Sequence, residues 1–326
     1  YNVASYFLLF MVVVAHLKTR AQLWRLLWVI TVTGVLIGVY GIFQYYNVDP
    51  FDQVVMGATR VPSTLGNPIF AAAVLVMTIP ISLAMGLVAS RRVGFLQKNL
   101  VWVAVVAVQL VMVLYTQSRG PWVGLAVGML VFLLLTWMAF GRKILGRSLA
   151  LLLPVLAVTL IVTTVPFFSY RPSGEPGPSQ AAASRAMTRA ASIGEELTEG
   201  GLAGRLDIWR GAGDLIVRHP SVSLLGFTFS FLRPVIGYGP EMFQYAFPLG
   251  SPEQLHVTMD KLPDFAHNHL VHETVELGFL GITGYVGLLS AFFIVGLMHL
   301  RRRREGYMAS YRWILVALLA AVSGRV

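Results

Sequence analysis

Long apolar runs, separated by short charged or turn-rich breaks, recur along most of the chain. A membrane-spanning helix needs about 20 consecutive, mainly apolar residues, so each run is a candidate span. The runs fall near residues 3–17, 24–45, 68–89, 99–117, 121–140, 148–168, 272–299 and 311–326. The pattern predicts an all-α, polytopic integral membrane protein with about eight spans. Because the chain starts at Tyr1 and its last run stops at Val326 without a polar exit, we expect truncation at both ends.

Composition agrees with the membrane class and excludes several others. Of the 326 residues, 56% are hydrophobic and only 12% are charged, about half the charged fraction of a soluble domain. The absence of cysteine rules out a disulfide framework and thiol chemistry. The net charge of +10 arises mainly in loops between spans, and no basic patch outside them predicts a nucleic-acid partner.

Basic residues cluster in alternate connections between the runs, which predicts the orientation of the chain. The clusters are Lys18, Arg20 and Arg25; Arg91, Arg92 and Lys98; Arg142, Lys143 and Arg147; and Arg301 to Arg304 with Arg312. Lys and Arg in short loops mark the cytoplasmic side. The sequence therefore predicts three parts: transmembrane helices in 1–168, an extracytoplasmic loop with an amphipathic helix in 169–266, and transmembrane helices in 267–326.

Two segments of the long loop have recognisable local patterns. In "GRLDIWRGAGDLIVRHP" the apolar residues fall on one helical face, which predicts an amphipathic helix on the membrane or against the bundle; they are Leu206, Trp209, Leu215 and Ile216. The apolar segment 221–232 is too short to span and is predicted to be re-entrant or interfacial. Further on, Gly237 and Gly239 predict a tight turn beside a bulky group.

Four arginines of the predicted outer side are candidate functional residues: Arg60, Arg119, Arg205 and Arg210. One interpretation is that they reach the interface as ordinary surface charges. The other is an anion clamp, because a guanidinium fork matches phosphate oxygens and remains charged at any relevant pH. Arg119 in "YTQSRGPW" is the strongest candidate, since it stands at the outer end of a span where arginine is otherwise scarce.

A polar stripe begins the span near residue 272. His269, His272, Glu273 and Glu276 share one helical face if a helix starts near Asn268. Each charge in the bilayer centre costs roughly 2.5–3.5 kcal/mol on insertion scales, so we expect the stripe to face a cavity or the aqueous boundary. Two alternatives are a solvated helix start without chemistry and a cation site, although "HETVE" lacks the second histidine of a zincin helix.

Glycines recur at every third position further along the same span, at Gly278, Gly281, Gly284 and Gly287. Small residues at this spacing predict the close approach of another helix.

The stretch from His267 also resembles a family motif. His267-Asn268, nine residues and then "GFLG" ending at Gly281 are similar to the His-Asn/Ser, Gly-x-x-Gly pattern of the O-antigen ligase and Wzy-type polymerase family of bacterial envelopes. The segments "SRG" at 118–120, "RLDIWRGAGDLIVRHP" at 205–220 and "IGYGPEMF" at 236–243 resemble further family segments in the same order. The resemblance covers about residues 110–300.

This resemblance implies a GT-C-like glycosyltransferase acting outside the cytoplasm. Its expected donor is a glycan on undecaprenyl diphosphate, without a metal or another cofactor. Arg119 and Arg205 would hold the diphosphate, and His267 would deprotonate or orient the acceptor hydroxyl. Further substrate-binding residues would be Arg60, Arg210, Asn268 and Glu273. The family's Arg-x-x-x-Leu motif is not matched, since Val123 and Trp209 occupy its fifth position when Arg119 and Arg205 are counted as its first.

Several functions share this signature. We favour an O-antigen ligase acting in lipopolysaccharide biosynthesis, in the bacterial inner membrane with its site on the periplasmic side. The alternatives are a Wzy-type polysaccharide polymerase and a protein O-oligosaccharyltransferase, and the acceptor is accordingly a glycan, lipid or protein. A different class is an inorganic-carbon transporter, which would carry polar residues near the bilayer midplane and on both faces. Here they gather on one face.

Overall fold

The computed structural model describes residues 2–46, 48, 60–89, 95–164, 201–220, 230–250, 262–301 and 309–325. These residues form helices, turns and bends, with no strand among them. The α-helices are α1 (Asn2–His16), α2 (Arg20–Tyr45), α3 (Pro68–Ala89), α4 (Phe95–Tyr115), α5 (Arg119–Phe140), α6 (Arg142–Thr164), α7 (Gly201–Arg218), α8 (Arg233–Ile236), α9 (Phe243–Gly250), α10 (His269–Arg301) and α11 (Ala309–Arg325).

Two compact units make up the chain. Unit 1 comprises Tyr1–Ala190 with Met298–Val326, and unit 2 comprises Ala191–Leu297. The predicted three-part division of the sequence stays a prediction. Most of the Pro- and Gly-rich start of its loop, and residues 221–229 of its short apolar segment, lie outside the described residues.

The eight apolar runs all coincide with helices, as predicted. Within the described ranges, five helices are long and apolar enough to cross a membrane: α2, α3, α5, α6 and α10. The helices α1, α4 and α11 contain shorter apolar stretches. Only a helix satisfies every backbone hydrogen bond within one such segment, which is why apolar runs of this length fold in this way. The chain is an all-α, multi-pass membrane protein.

Close helix contacts in unit 1 depend on glycines that the sequence analysis did not single out. A Cβ added at Gly124 of α5 would overlap the carbonyl oxygen of Gly324 in α11. On α2, Gly38 and Gly41 leave room for Val108 and Met112 of α4 in the same way. Because lipid supplies no hydrophobic driving force between helices, such close packing is a main source of association.

A small apolar core holds unit 2 together. Its buried residues come from α7, α9, the turn before α10 and the start of α10: Ala212, Leu215, Phe243, Ala246, Phe247, Ala266 and Val275. The prediction of an amphipathic α7 is correct in type, and its apolar face packs on these other segments of unit 2. The predicted face was partly wrong, because Leu206 is 39% exposed while Ile208 and Ala212 contact the core.

Helix α10 is kinked at Gly278, where the backbone has φ 63° and ψ −162°. A Cβ at Gly278 would overlap backbone atoms of Val235 and Gly237. The N–H groups of Tyr238 and Gly239 donate to the carbonyl oxygens of Val275 and Glu276, at 3.0 and 2.8 Å. The predicted tight turn is therefore present, and the bulky group beside it is the backbone of α10.

The predicted role of the glycine repeat was wrong for its later members. Apart from the neighbouring backbone of α10 itself, no atom of the described residues lies within 4 Å of a Cβ built at Gly284 or Gly287, so none of the described helices packs closely there. Spacing alone identified small residues but not their neighbours. Gly278 serves both the kink and the close approach of Val235 in the short helix α8.

Replacing Gly278 with Ala is expected to destabilise unit 2. An alanine here would adopt a backbone conformation that costs about 1–3 kcal/mol for a non-glycine residue, and its Cβ would displace the turn at Val235. The measurement is the thermal unfolding midpoint of the detergent-solubilised protein. Gly284→Ala is the matched control, since its site is open, and an equal midpoint for the two variants would contradict the kink's role.

Candidate functional site

His267 lies in an exposed turn directly before α10. Its φ of 52° places it in the left-handed region, which few non-glycine residues adopt and in which histidine is enriched. Asn268 then caps the helix: its Oδ1 accepts the Val271 N–H at 3.2 Å, as is typical of asparagine at this position. The prediction that a helix starts near Asn268 is confirmed, and Asn268 has the structural role of N-cap.

Trp209 ties the His267 turn to helix α7. Its indole Nε1–H donates to the carbonyl oxygen of Ala266 at 2.8 Å, and Ala266 is fully buried. Arg205 is exposed and lies one turn before Trp209 on the same face of α7. The structure therefore brings the segments that carry Arg205 and His267 into contact within unit 2.

From the sequence, Trp209 was predicted only to belong to the apolar face of α7. Its indole N–H could have indicated the further role, because this polar group usually finds a hydrogen-bond partner when the ring is buried.

Arg210 occupies a different side of α7. Five residues after Arg205, it is rotated about 140° around a helix of 3.6 residues per turn. Its Nη1 lies 2.9 Å from Asp207 Oδ1, and its side chain is 74% exposed. Such an exposed pair contributes about 0–1 kcal/mol. Arg210 is thus separated from the face that Arg205 and Trp209 share.

The predicted polar stripe divides into two pairs with different surroundings. His269 Nδ1 lies 3.5 Å from Glu273 Oε1, and this pair is partly exposed. His272 Nε2 lies 3.3 Å from Glu276 Oε1, and both of those side chains are only 8% exposed. The expectation that the whole stripe faces water or a cavity was therefore wrong for His272 and Glu276.

Backbone donors explain why Glu276 is buried. Its carboxylate accepts the N–H groups of Glu241 at 2.9 Å and Phe243 at 3.1 Å, where α9 begins. These two backbone N–H groups, at and just before the start of α9, satisfy a carboxylate that would be costly to bury alone. The turn before α9 is not adjacent in sequence, so helical spacing gave no sign of this contact.

Aromatic stacking links the buried pair to the His267 turn. The His272 ring stacks on Phe265 with a centroid separation of 3.8 Å, and Phe243 lies 4.9 Å away on a tilted plane. Because Phe265 is two residues before His267, the packing of His272 orients the same turn that Trp209 holds.

The alternative of a cation site on this stripe is not supported by the geometry. In the described parts of the chain, no group of three or more His, Asp or Glu side chains comes together in a way that would hold a metal ion.

In unit 1, the Arg119 turn is held by Arg60. The Arg60 Nε donates to the Thr116 carbonyl oxygen at 3.1 Å, and its Nη2 donates to Ser118 Oγ at 2.7 Å. Gln117, between them, has a left-handed φ of 48°. Arg119 is the first residue of α5 and is half-buried. The structure therefore brings Arg60 and the Arg119 turn together.

Further contacts make this turn rigid. Trp122 Nε1–H donates to the Val113 carbonyl oxygen at 3.0 Å, and Tyr115 stacks on Tyr45 with centroids 3.7 Å apart. Gly120 and Pro121 lie in the first turn of α5, where proline's lack of an N–H costs no helical hydrogen bond.

Known proteins were compared with the chain at three levels: protein families, curated proteins and solved structures. No curated protein and no solved structure matches the chain. A family model described as O-antigen ligase matches residues 103–286, which is more than half of the chain and includes Arg119, Arg205 and His267. The family implies a ligase- or glycosyltransferase-type enzyme that acts in a membrane on a lipid-linked glycan and an acceptor. The chain belongs to the O-antigen ligase family.

Proposed function

We propose that the protein transfers a glycan from undecaprenyl diphosphate to an acceptor hydroxyl at the outer face of the bacterial inner membrane, as an O-antigen ligase. The acceptor oxygen forms a bond to the anomeric carbon while the bond from that carbon to the diphosphate oxygen breaks. The diphosphate leaves with the electron pair, and the acceptor proton passes to the imidazole of His267.

One observation carries this proposal: the 2.8 Å bond from Trp209 to the Ala266 carbonyl oxygen. It holds a helix that exposes Arg205 against a turn that exposes His267. This contact supports the proposal because the helix that carries a cation suited to the leaving group touches the turn that carries a base suited to the acceptor. A lipid diphosphate is already a good leaving group, so the enzyme must mainly neutralise its charge and position two sugars.

Arginine is suited to the diphosphate because its guanidinium forms paired, charge-assisted hydrogen bonds to phosphate oxygens. We assign contacts of this kind separately to Arg205 of unit 2 and to Arg119 of unit 1, with Arg60 positioning the Arg119 turn through Thr116 and Ser118. Arg210 is a peripheral third cation, because its guanidinium is paired with Asp207.

The acceptor side of the site is assigned to α10 and the turn before it. Asn268 keeps its amide nitrogen for sugar hydroxyls while its oxygen caps the helix. Glu273, paired with His269 at 3.5 Å, has further carboxylate lone pairs with which it accepts hydrogen bonds from the acceptor.

The direct test uses the full-length protein in liposomes, supplied with a labelled glycan on undecaprenyl diphosphate. Three acceptors are offered separately: a lipid A core, a second lipid-linked glycan and a protein. Mass spectrometry of the products identifies the reaction. Glycan on the lipid A core supports the ligase, lengthened glycan or glycoprotein redirects the assignment within the family, and no transfer to any acceptor overturns the proposal.

Arg205→Gln is expected to lower kcat for transfer by about 10- to 100-fold, since a hydrogen bond to a charged group contributes about 1.5–3 kcal/mol. Arg210→Gln should cost only severalfold. The matched control is Arg218→Gln on the same helix, an exposed arginine paired with Asp214 at 3.2 Å. Equal rates for the Arg205 and Arg218 variants would remove Arg205 from the site.

A further inference from the structure

A groove of about 310 Å³ opens within unit 2. Leu215, Ile216 and Val275 contribute apolar wall, and His219, Arg233 and Tyr238 contribute polar groups. Grooves of this size and mixed lining are typical of small-molecule sites. None of these lining residues is assigned a role in the glycan transfer proposed at Arg205 and His267.

The polar side of the groove is built to donate hydrogen bonds. The Arg233 guanidinium carbon lies 4.4 Å from the centroid of the Tyr238 ring, and such stacking orients the N–H groups along the edges of the guanidinium plane. Burial raises the pKa of the Tyr238 hydroxyl, more than the neighbouring Arg233 lowers it. The hydroxyl therefore stays protonated at neutral pH and is a donor. These groups suit an anion with several acceptor oxygens.

The apolar side of the groove includes a helix of membrane-spanning length and composition. Phe279 lines the groove, is 69% exposed and belongs to α10, a helix long and apolar enough to cross a membrane. A ligand that fills this groove therefore needs a hydrocarbon part as well as an anionic part.

The groove is distinct from the candidate transfer site. On α7 the groove residues start at Leu215, ten residues after Arg205, which corresponds to roughly 15 Å along a helix. On α10 the groove residues start at Thr274, seven residues after His267. Along both helices the groove residues therefore lie beyond the residues assigned to transfer.

We propose that this groove binds an anionic phospholipid of the surrounding bilayer. Its phosphate contacts Arg233, His219 and Tyr238, and one acyl chain lies along Leu215, Val275 and Phe279. The proposal goes beyond glycan transfer and does not depend on it, because binding is measured without any donor.

The test is native mass spectrometry of the full chain in detergent, titrated with dioleoylphosphatidylglycerol or with zwitterionic dioleoylphosphatidylcholine. We expect tighter binding of the anionic lipid. Arg233→Gln should raise its apparent Kd about tenfold, as expected for a hydrogen bond to a charged group. Thr274→Trp should block the groove by filling it, while Arg218→Gln removes an exposed charge on the same unit and should change little.

Three results would overturn the phospholipid assignment. They are equal affinity for the two lipids, an unchanged Kd in both the Arg233 and Thr274 variants, and binding of geranylgeranyl phosphate without binding of phosphatidylglycerol. Arg233→Lys, which retains the charge, distinguishes loss of the site from misfolding, because it should keep most of the preference for the anionic lipid.

Discussion

His267→Ala is expected to reduce glycan transfer by about 10²- to 10⁴-fold, the usual contribution of a positioned general base. The loss should appear in kcat, because the imidazole acts on the acceptor proton as the new bond forms. His267→Asn should be equally inactive while folding normally, since asparagine tolerates the left-handed backbone found at this position. The measurement is initial rate with a defined lipid-linked donor in liposomes.

The control for His267 is His269→Ala. This histidine is also exposed and lies two residues away, but it is paired with Glu273 at 3.5 Å and is not assigned to the chemistry. We expect it to retain most of the transfer rate. Wild-type activity in His267→Ala, with insertion and thermal stability unchanged, would eliminate the base mechanism while leaving the family assignment intact.

Arg119→Ala is expected to lower transfer by about 10²- to 10³-fold, the cost of removing one preorganised donor from a developing negative charge. Arg119→Lys should restore only part of the rate, because an ammonium group keeps the charge but not the paired hydrogen bonds. The decisive measurement is single-turnover transfer at saturating donor, which separates the chemical step from donor binding.

Arg142→Ala is the matched control for Arg119. Each arginine is the first residue of an apolar helix, α5 or α6, and Arg142 belongs to a predicted cytoplasmic cluster. Loss of activity in both variants would indicate a general requirement for interfacial arginine. The arginine clamp itself would be contradicted if transfer required added Mg²⁺ or Mn²⁺ and disappeared with a chelator.

Much of the architecture could be predicted because lipid restricts the options of the chain. An apolar run of sufficient length must fold as a helix to satisfy its own backbone, and all eight runs did so. The boundaries shifted where polar residues continue a helix beyond its apolar part. Helix α6, for example, begins at Arg142 rather than near residue 148.

The chemistry of the candidate site was less predictable than its residue types. Their spacing on one helical face predicted that His272 and Glu276 would lie together, and His272 Nε2 is 3.3 Å from Glu276 Oε1. The same reasoning placed them at an aqueous boundary. It failed because the partners of Glu276 are backbone N–H groups of residues 241 and 243, more than 30 positions earlier in the chain.

The sequence by itself determined the membrane class, the helical segments and the residues of O-antigen ligase type, since hydrophobic length and motif spacing are local properties. Only the tertiary structure decided which polar groups are buried, where α10 is kinked and which arginine-bearing helix contacts the His267 turn. Those outcomes depend on contacts such as that of Trp209 with Ala266. Residues so far apart in the chain come into contact only when the chain packs and forms hydrogen bonds, so a local sequence pattern does not predict such contacts.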